Sequence, residues 1–451
     1  MRVDASYLRQ HRFTAEYYSS ELLGEEYGRF VHASGLTVYV FPKKCRNTYG
    51  MLSTHYGSIN NDFRNKGETA YSHVPEGIAH FLEHKLFANK DGSDALEQFA
   101  ALGADGNAFT SYDKTAYLFN CTSRVKESLD TLLSFVTHPY FVKESVEKEK
   151  SIIQEELRME LDNPDEQSFI DLMCDLYEFH PVRNNICGTM DSIERITPED
   201  LYRCYTVFYH PSNMELIVCG NIEPETVLSA VSEQYPPEAE IRPIEEKRIE
   251  ESPEVFKKFS RRNMQVAQPI FCIGVKDTAI SDDPVERMKK DTGMSLLNEM
   301  LFSHSGQFFS DLFESHKLTG GCSSGYSITP RMAFNVFSGE SDNPDEILTL
   351  YLQYIKETKE KGLSAEDLSR CKKILYSDYV KSFDNSEEIA HNLLGYIMDG
   401  FPMFDYPDIL QSITLEYLTD LLFSVFREEA TAMAVIDPLP GTKGDENYDG
   451  N

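Results

Sequence analysis

The chain alternates between short apolar runs and longer stretches with a helical rhythm. GLTVYVFP, residues 35–42, and GMLSTHYGS, residues 50–58, are dense in apolar, β-branched and aromatic side chains and predict strands. Residues 77–87, GIAHFLEHKLF, read as an apolar helix into which His80, Glu83 and His84 are set. A helix starting at Pro75 would carry proline in its first turn, where the missing N–H costs nothing, and Glu76 beside the positive end of its dipole. A second helix is predicted within residues 146–166, VEKEKSIIQEELRMELDNPDE, with Ile152 and Ile153 offered to the core. A strand returns near 214–219, so the order is strands, helices, strand, an α+β pattern.

The same order occurs twice. ITPEDLYRCYTVFY, from Ile196, matches ITLEYLTDLLFSVF, from Ile413, at an offset of 217, and the same offset lays the strand through Val218 on the one through Val435. At an offset of 216, Gly77 and Glu83 fall on Gly293 and Glu299. Ordered matches at near-constant spacing predict one long duplication, since a solenoid would repeat every ~20–50 residues. The expected architecture is two homologous α/β-sandwich domains, 1–235 with the His and Glu motif and 256–438 without it. Between them, residues 236–255 are rich in Pro and charge and read as a linker with little core of its own. Residues 439–451 read as a flexible tail.

Composition narrows the class. With 41% hydrophobic and 26% charged residues over 451 positions, the chain is globular rather than disordered. Lys and Arg number 43 against 74 Asp and Glu, and the net charge of −31 disfavours nucleic acid or an anionic membrane as the main partner. No stretch approaches the roughly 18 uninterrupted apolar residues of a membrane helix, and the first residues lack the apolar core of a signal peptide. The 9 cysteines are scattered without a Cys-x-x-Cys pair, which predicts reduced thiols and, with the rest, a cytoplasmic protein.

The chemistry concentrates in two helices. At about 100° per residue, His84 lies about 40° round from His80 and Glu83 about 60° to the other side, so the three share one face. Two imidazoles there can hold one cation with a carboxylate beside its open position; zinc suits such donors, and a catalytic zinc takes three protein ligands plus water. Glu149 and Glu156 are seven residues apart and face the same way. Glu156 is the expected third ligand, and Glu149 a carboxylate that orients a histidine or the water. An acid-rich helix is equally what a solvated face looks like. His138, His180 and His210 each precede Pro and read as element ends rather than ligands. In the second copy Leu296 and Met300 replace His80 and His84, so no metal is expected there.

Through EGIAHFLEHKLF, NAFTSYDKTAYLF from Asn107 and EKEKSIIQEEL from Glu147, the chain resembles the pitrilysin/insulinase (M16) family of zinc metallopeptidases with the inverted His-x-x-Glu-His motif, over nearly its whole length. It is similar in size to the small bacterial subunits of that family. The resemblance implies one zinc ion (Zn2+) per chain on His80, His84 and Glu156, with Glu83 as general base and Glu149 in support. It also implies that Asn107, Ala108, Phe109 and Thr110 form a strand edge that holds the substrate backbone, to which an extended peptide adds as one more strand. Read on its residues alone, this stretch is an ordinary strand after the turn ADGN. Family members pair two such chains into a clamshell, so this chain is expected to be half of one. Active members take an Arg and a Tyr from the second domain of the pair, whereas Gln307 and Gly320 stand at those places here. A heterodimer is therefore expected, with a homologous partner subunit supplying Arg and Tyr; a homodimer is the other arrangement. The implied function is zinc-dependent hydrolysis of enclosed peptides, as an endopeptidase or oligopeptidase. The alternative is a peptide-binding or assembly subunit that does not cut.

Overall fold

Strands form where apolar residues can be buried on both faces, and the strand Thr48–Thr54, buried at all its positions, is the extreme case. The computed structural model describes residues 2–236 and 240–440. The chain divides into two compact units. Unit 1 is Met1–Leu157, Asn185–Arg248 and Ser377–Tyr406; unit 2 is Arg158–Asn184, Ile249–Tyr376 and Pro407–Asn451. Most of the tail expected at 439–451 lies outside the described residues.

Unit 1 holds β1 (Phe13–Ser20), β2 (Glu25–His32), β3 (Thr37–Pro42), β4 (Thr48–Thr54), β5 (Asp62–Asn65), β6 (Ser72–His73), β7 (Asp105–Thr110), β8 (Thr115–Cys121), β9 (Met214–Gly220) and β10 (Ile244–Glu246). Seven make one sheet in the order β1-β2-β3-β9-β4-β8-β7, in which only β3 and β9 run parallel. On one face, Leu52, Tyr117, Phe119, Leu216 and Val218 pack with Ile78, Phe81 and Leu82 of the motif helix. On the other, Tyr49, Met51, Leu118 and Ile217 pack with Ile389, Leu393 and Leu394 of the helix Ser386–Met398. A small sheet, β10-β5-β6, stands apart. Its strand β10 lies inside the stretch expected to be a plain linker. Main-chain pairing with β5, the Arg64 Nε to Glu245 Oε2 bond of 2.8 Å and the packing of Ile244 on the core give that stretch structure its composition did not announce.

Unit 2 holds β11 (Phe259–Met264), β12 (Ile270–Asp277), β13 (Cys322–Ile328), β14 (Ala333–Glu340) and β15 (Thr431–Pro438), in the order β11-β15-β12-β14-β13. Only β11 and β15 are parallel, so the pairing repeats that of β3-β9-β4-β8-β7. The duplication is therefore visible in topology. Thr197 and Thr414, 217 apart, cap the helices Pro198–Phe208 and Leu415–Val425, and β9 and β15 start at the same offset. The helix Pro164–Leu176 packs on β12 and β15, where Gly274 leaves room: a Cβ there would lie 2.8 Å from Leu172 Cδ2. Each unit thus takes one covering helix from the other half of the sequence.

His180 and His210 head short helical turns and accept from the N–H groups of Val182 and Ser212, and His138 ends the helix Val125–Thr137, as element ends should. None of the nine cysteines is in a disulfide. No described helix is long and apolar enough to cross a membrane.

Candidate metal centre

The motif helix runs from Ile78 to Leu86 and starts three residues later than the proline suggested. Gly77 decides this. Its φ of 84° is left-handed, and a Cβ there would stand 2.2 Å from the Cys187 carbonyl oxygen, so the chain turns at Gly77 and leaves Pro75 and Glu76 outside the helix. The helix is then buried nearly all round, with Ile78, Ala79, Phe81, Leu82 and Leu86 in the core. His80, Glu83 and His84 occupy the remaining face.

Glu156 comes from the helix Lys143–Leu161, which turns Val146, Lys150, Ile153 and Leu157 inward at helical spacing. Of the two isoleucines expected inside, only Ile153 is buried; Ile152 is 46% exposed, because a neighbour one residue away lies 100° round the helix. That rotation carries Glu149 and Glu156 toward the motif. His80 Nε2 lies 3.7 Å from Glu156 Oε1 and His84 Nε2 3.4 Å from Glu156 Oε2; one donor atom from each of the three residues lies within 4.8 Å of the others. The two rings are 4.6 Å apart at 67°. Glu149 Oε1 stands 3.3 Å from His84 Nδ1 and accepts at 3.5 Å from Lys85 Nζ, an ammonium only 2% exposed that the sequence did not single out.

Electrostatics follow from this crowding. Burial, with the His84 charge adding to it, pushes the His80 pKa down, which favours the neutral imidazole a metal needs. Burial works against charge on His84 too, but its contacts with Glu149 and Glu156 outweigh that and raise its pKa to about 10. Burial raises Glu83, while its hydrogen bond from Thr110 and the His84 charge pull the other way. Glu83, Glu149 and Glu156 bring three carboxylates to this cluster; Glu149 contacts both His84 and the Lys85 ammonium, and Glu156 contacts His80 and His84. A divalent cation would take the place of the proton on His84, and two imidazole nitrogens with a carboxylate oxygen are donors that zinc accepts, so the residues fit a zinc ion. Among the described residues the buried His80 Nδ1 has no hydrogen-bond partner, while its Nε2 is the nitrogen facing Glu156.

Asn107, Ala108, Phe109 and Thr110 lie on β7, one edge of the seven-stranded sheet, which among the described residues pairs only with β8. Ala108 packs toward the motif-helix side of the sheet and Phe109 toward the other, stacked on His391 at 5.7 Å. Asn107 Oδ1 accepts from the Ala108 N–H at 2.9 Å, and the Thr110 hydroxyl donates to Glu83 Oε2 at 2.6 Å. The Thr110–Glu83 bond and the His391 contact were invisible in the sequence, because they join residues 27 and 282 positions apart. In unit 2, Leu296 and Met300 are buried apolar residues of the helix Pro284–Leu301. Gln307 opens the helix Gln307–Glu314 and donates to Asp311, and Gly320 lies beside Glu340.

Comparison with known proteins gives the family of the chain. Residues 67–190 match the family described as Insulinase (Peptidase family M16), and residues 195–375 match the Peptidase M16 inactive domain. The chain is 37% identical over 393 residues to a protein of Bacillus subtilis (strain 168) named uncharacterized zinc protease YmfH, with 86% of this chain and 91% of that one covered. It belongs to peptidase family M16. A crystal structure of an M16-like peptidase from Alicyclobacillus acidocaldarius superposes with a TM-score of 0.89 at 31% identity, covering 94% of this chain and 100% of the other. Pitrilysin shares the fold, with a TM-score of 0.74 at 15% identity; there the match covers 93% of this chain but 46% of the longer protein.

Proposed function

We propose that the chain is a zinc-dependent endopeptidase or oligopeptidase that acts on peptides enclosed between itself and a homologous partner. The observation that carries this reading is the meeting of His80, His84 and Glu156, drawn from two helices, beside the Glu83 carboxylate. His80, His84 and Glu156 would hold the ion, and Glu149 keeps His84 turned so that its Nε2 faces it. When bound, zinc supplies the positive charge that acidifies water and polarises a carbonyl. Glu83, 7% exposed, takes the proton from the attacking water and returns it to the leaving amine. The free edge of β7 pairs with the peptide main chain. In the wider reading, Gln307 and Gly320 leave the Arg and Tyr of the family to a partner subunit, so a heterodimer is favoured over a homodimer. The two inherited repeats are 1–235 and 256–438 about a connecting 236–255, and cysteines outside any disulfide suit the cytoplasm.

Replacement of Glu83 by Gln tests the core of this. The variant keeps its zinc, measured by metal analysis, and loses cleavage of a mixed peptide pool; a zinc-loaded E83Q protein that cleaves normally removes Glu83 from the role. A second reading, a subunit that binds peptides without cutting, is favoured by the residues at 307 and 320. Stoichiometric zinc with no cleavage, even after a homologous partner is added, selects it.

A further inference from the structure

The Thr110 hydroxyl has one proton to give, and its surroundings decide where it goes. Thr110 Oγ1 lies 2.6 Å from Glu83 Oε2 and 3.4 Å from Thr115 Oγ1. Thr115, fully buried on β8, spends its own proton on the Tyr56 carbonyl at 2.8 Å and so has none for Thr110. The nearer and charged acceptor wins, and Thr110 donates to Glu83. Its backbone is held as well. Thr110 pairs with Thr115 at the closed end of the β7–β8 hairpin, whose turn is tied by Ser111 N–H to Lys114 O at 2.8 Å, and whose Ser111 and Tyr112 carbonyls accept from Ser58 and Ile59 at 3.0 Å.

We propose that Thr110 is a positioning residue: its hydroxyl fixes the Glu83 carboxylate, so that the strand on which a peptide would pair also sets the orientation of the base. This rests on the reading of Glu83 as the base. One carboxylate oxygen accepts from Thr110, which favours Oε1 as the oxygen that takes the proton and restrains rotation about the last bond of the side chain. The role differs from a direct grip on substrate, because the hydroxyl is spent on Glu83 and only the main chain of β7 remains for the peptide.

Thr110→Val removes the donor and keeps the branched shape, and Thr110→Ser restores the donor. Loss of a hydrogen bond to a charged group corresponds to about a 10- to 100-fold fall in kcat. The assay uses quenched-fluorescent nonapeptides, with the homologous partner present where the wild type requires it, and peptide affinity is measured separately on metal-stripped protein by fluorescence anisotropy. Expected for Thr110→Val are the fall in kcat, unchanged KM and affinity, unchanged zinc content, and recovery in Thr110→Ser. Wild-type kcat in Thr110→Val, or a loss of peptide affinity with kcat intact, overturns the proposal. Crystal structures of metal-free protein give a readout independent of turnover: the Glu83 carboxylate leaves its place in Thr110→Val, and finding it unmoved overturns the proposal as well. Failure of the underlying reading is separate, since it shows as normal cleavage by zinc-loaded Glu83→Gln.

Discussion

Replacing Glu149 by Ala tests whether a carboxylate outside the proposed ligand set tunes the proposed zinc binding. Glu149, with its side chain 16% exposed, holds His84 Nδ1 at 3.3 Å and Lys85 Nζ at 3.5 Å. Its removal frees the His84 ring to turn and strips a buried ammonium of that carboxylate. Partners of this kind change metal affinity by about 10- to 100-fold. Both contacts here are longer than the 2.7–2.9 Å typical of charge-assisted bonds, so the lower end applies, about 1.5 kcal/mol or about tenfold. Glu149→Gln keeps an acceptor for His84 Nδ1 and should cost less, about threefold. Zinc affinity is read by competition with a chelating dye at fixed pH, with circular dichroism confirming the fold. An Ala variant that binds zinc as tightly as the wild type refutes the argument, and a Gln variant as weak as the Ala one shows that charge, not orientation, governs the effect.

The two isoleucines should separate cleanly in denaturant unfolding: Ile153→Ala, at a fully buried position, costs about 2–5 kcal/mol, whereas Ile152→Ala stays within about 0.5 kcal/mol. Equal effects would mean the helix Lys143–Leu161 is rotated from its described face. Gly77→Ala meets both a left-handed backbone and the Cys187 carbonyl, and should lower stability by at least about 2 kcal/mol; a neutral change contradicts the turn. In unit 2, burial pushes His180 down to about 4; Lys276 and Arg331 act in the same sense and Glu251 against them. Its Nδ1 accepts from the Val182 N–H, so protonation also breaks a cap. The unfolded chain, with the ordinary value of 6.5, binds the proton first, so the contribution of neutral His180 is whole above pH 6.5 and fades as pH falls toward 4. Relative to His180→Asn, the wild type should lose about 2 kcal/mol between pH 7.5 and 5, a difference that also cancels the opposing response of Asp175, raised to about 6 by burial. Parallel pH curves for the two proteins would exclude His180.

Much of the centre was legible because helical geometry is local. Once residues 77–87 are read as a helix, His80, Glu83 and His84 must share a face, and the seven-residue spacing of Glu149 and Glu156 puts both on one side of theirs, whatever the rest of the chain does. The duplication was legible for a related reason: capping threonines and strand starts repeat at 217 because each repeat must begin its elements with the same local chemistry. Less local matters misled. Pro75 is a good first-turn residue, yet Gly77 sets the start, because the Cys187 carbonyl fills the space a side chain would need. Ile152 and Ile153 are equally apolar, and only packing chooses between them.

Residue identity and order alone were enough to say which side chains are suited to the proposed chemistry, how they space along their helices, and that the same sheet would be built twice. The tertiary structure alone decided that Glu156 meets the two histidines, that Thr110 reaches Glu83, that Lys85 is buried against Glu149, and that each sheet is covered by a helix from the other half of the chain. The difference is one of range. Backbone sterics and helical periodicity act over a few residues and are written in order along the chain, whereas burial and hydrogen bonding between distant segments depend on where the whole core closes.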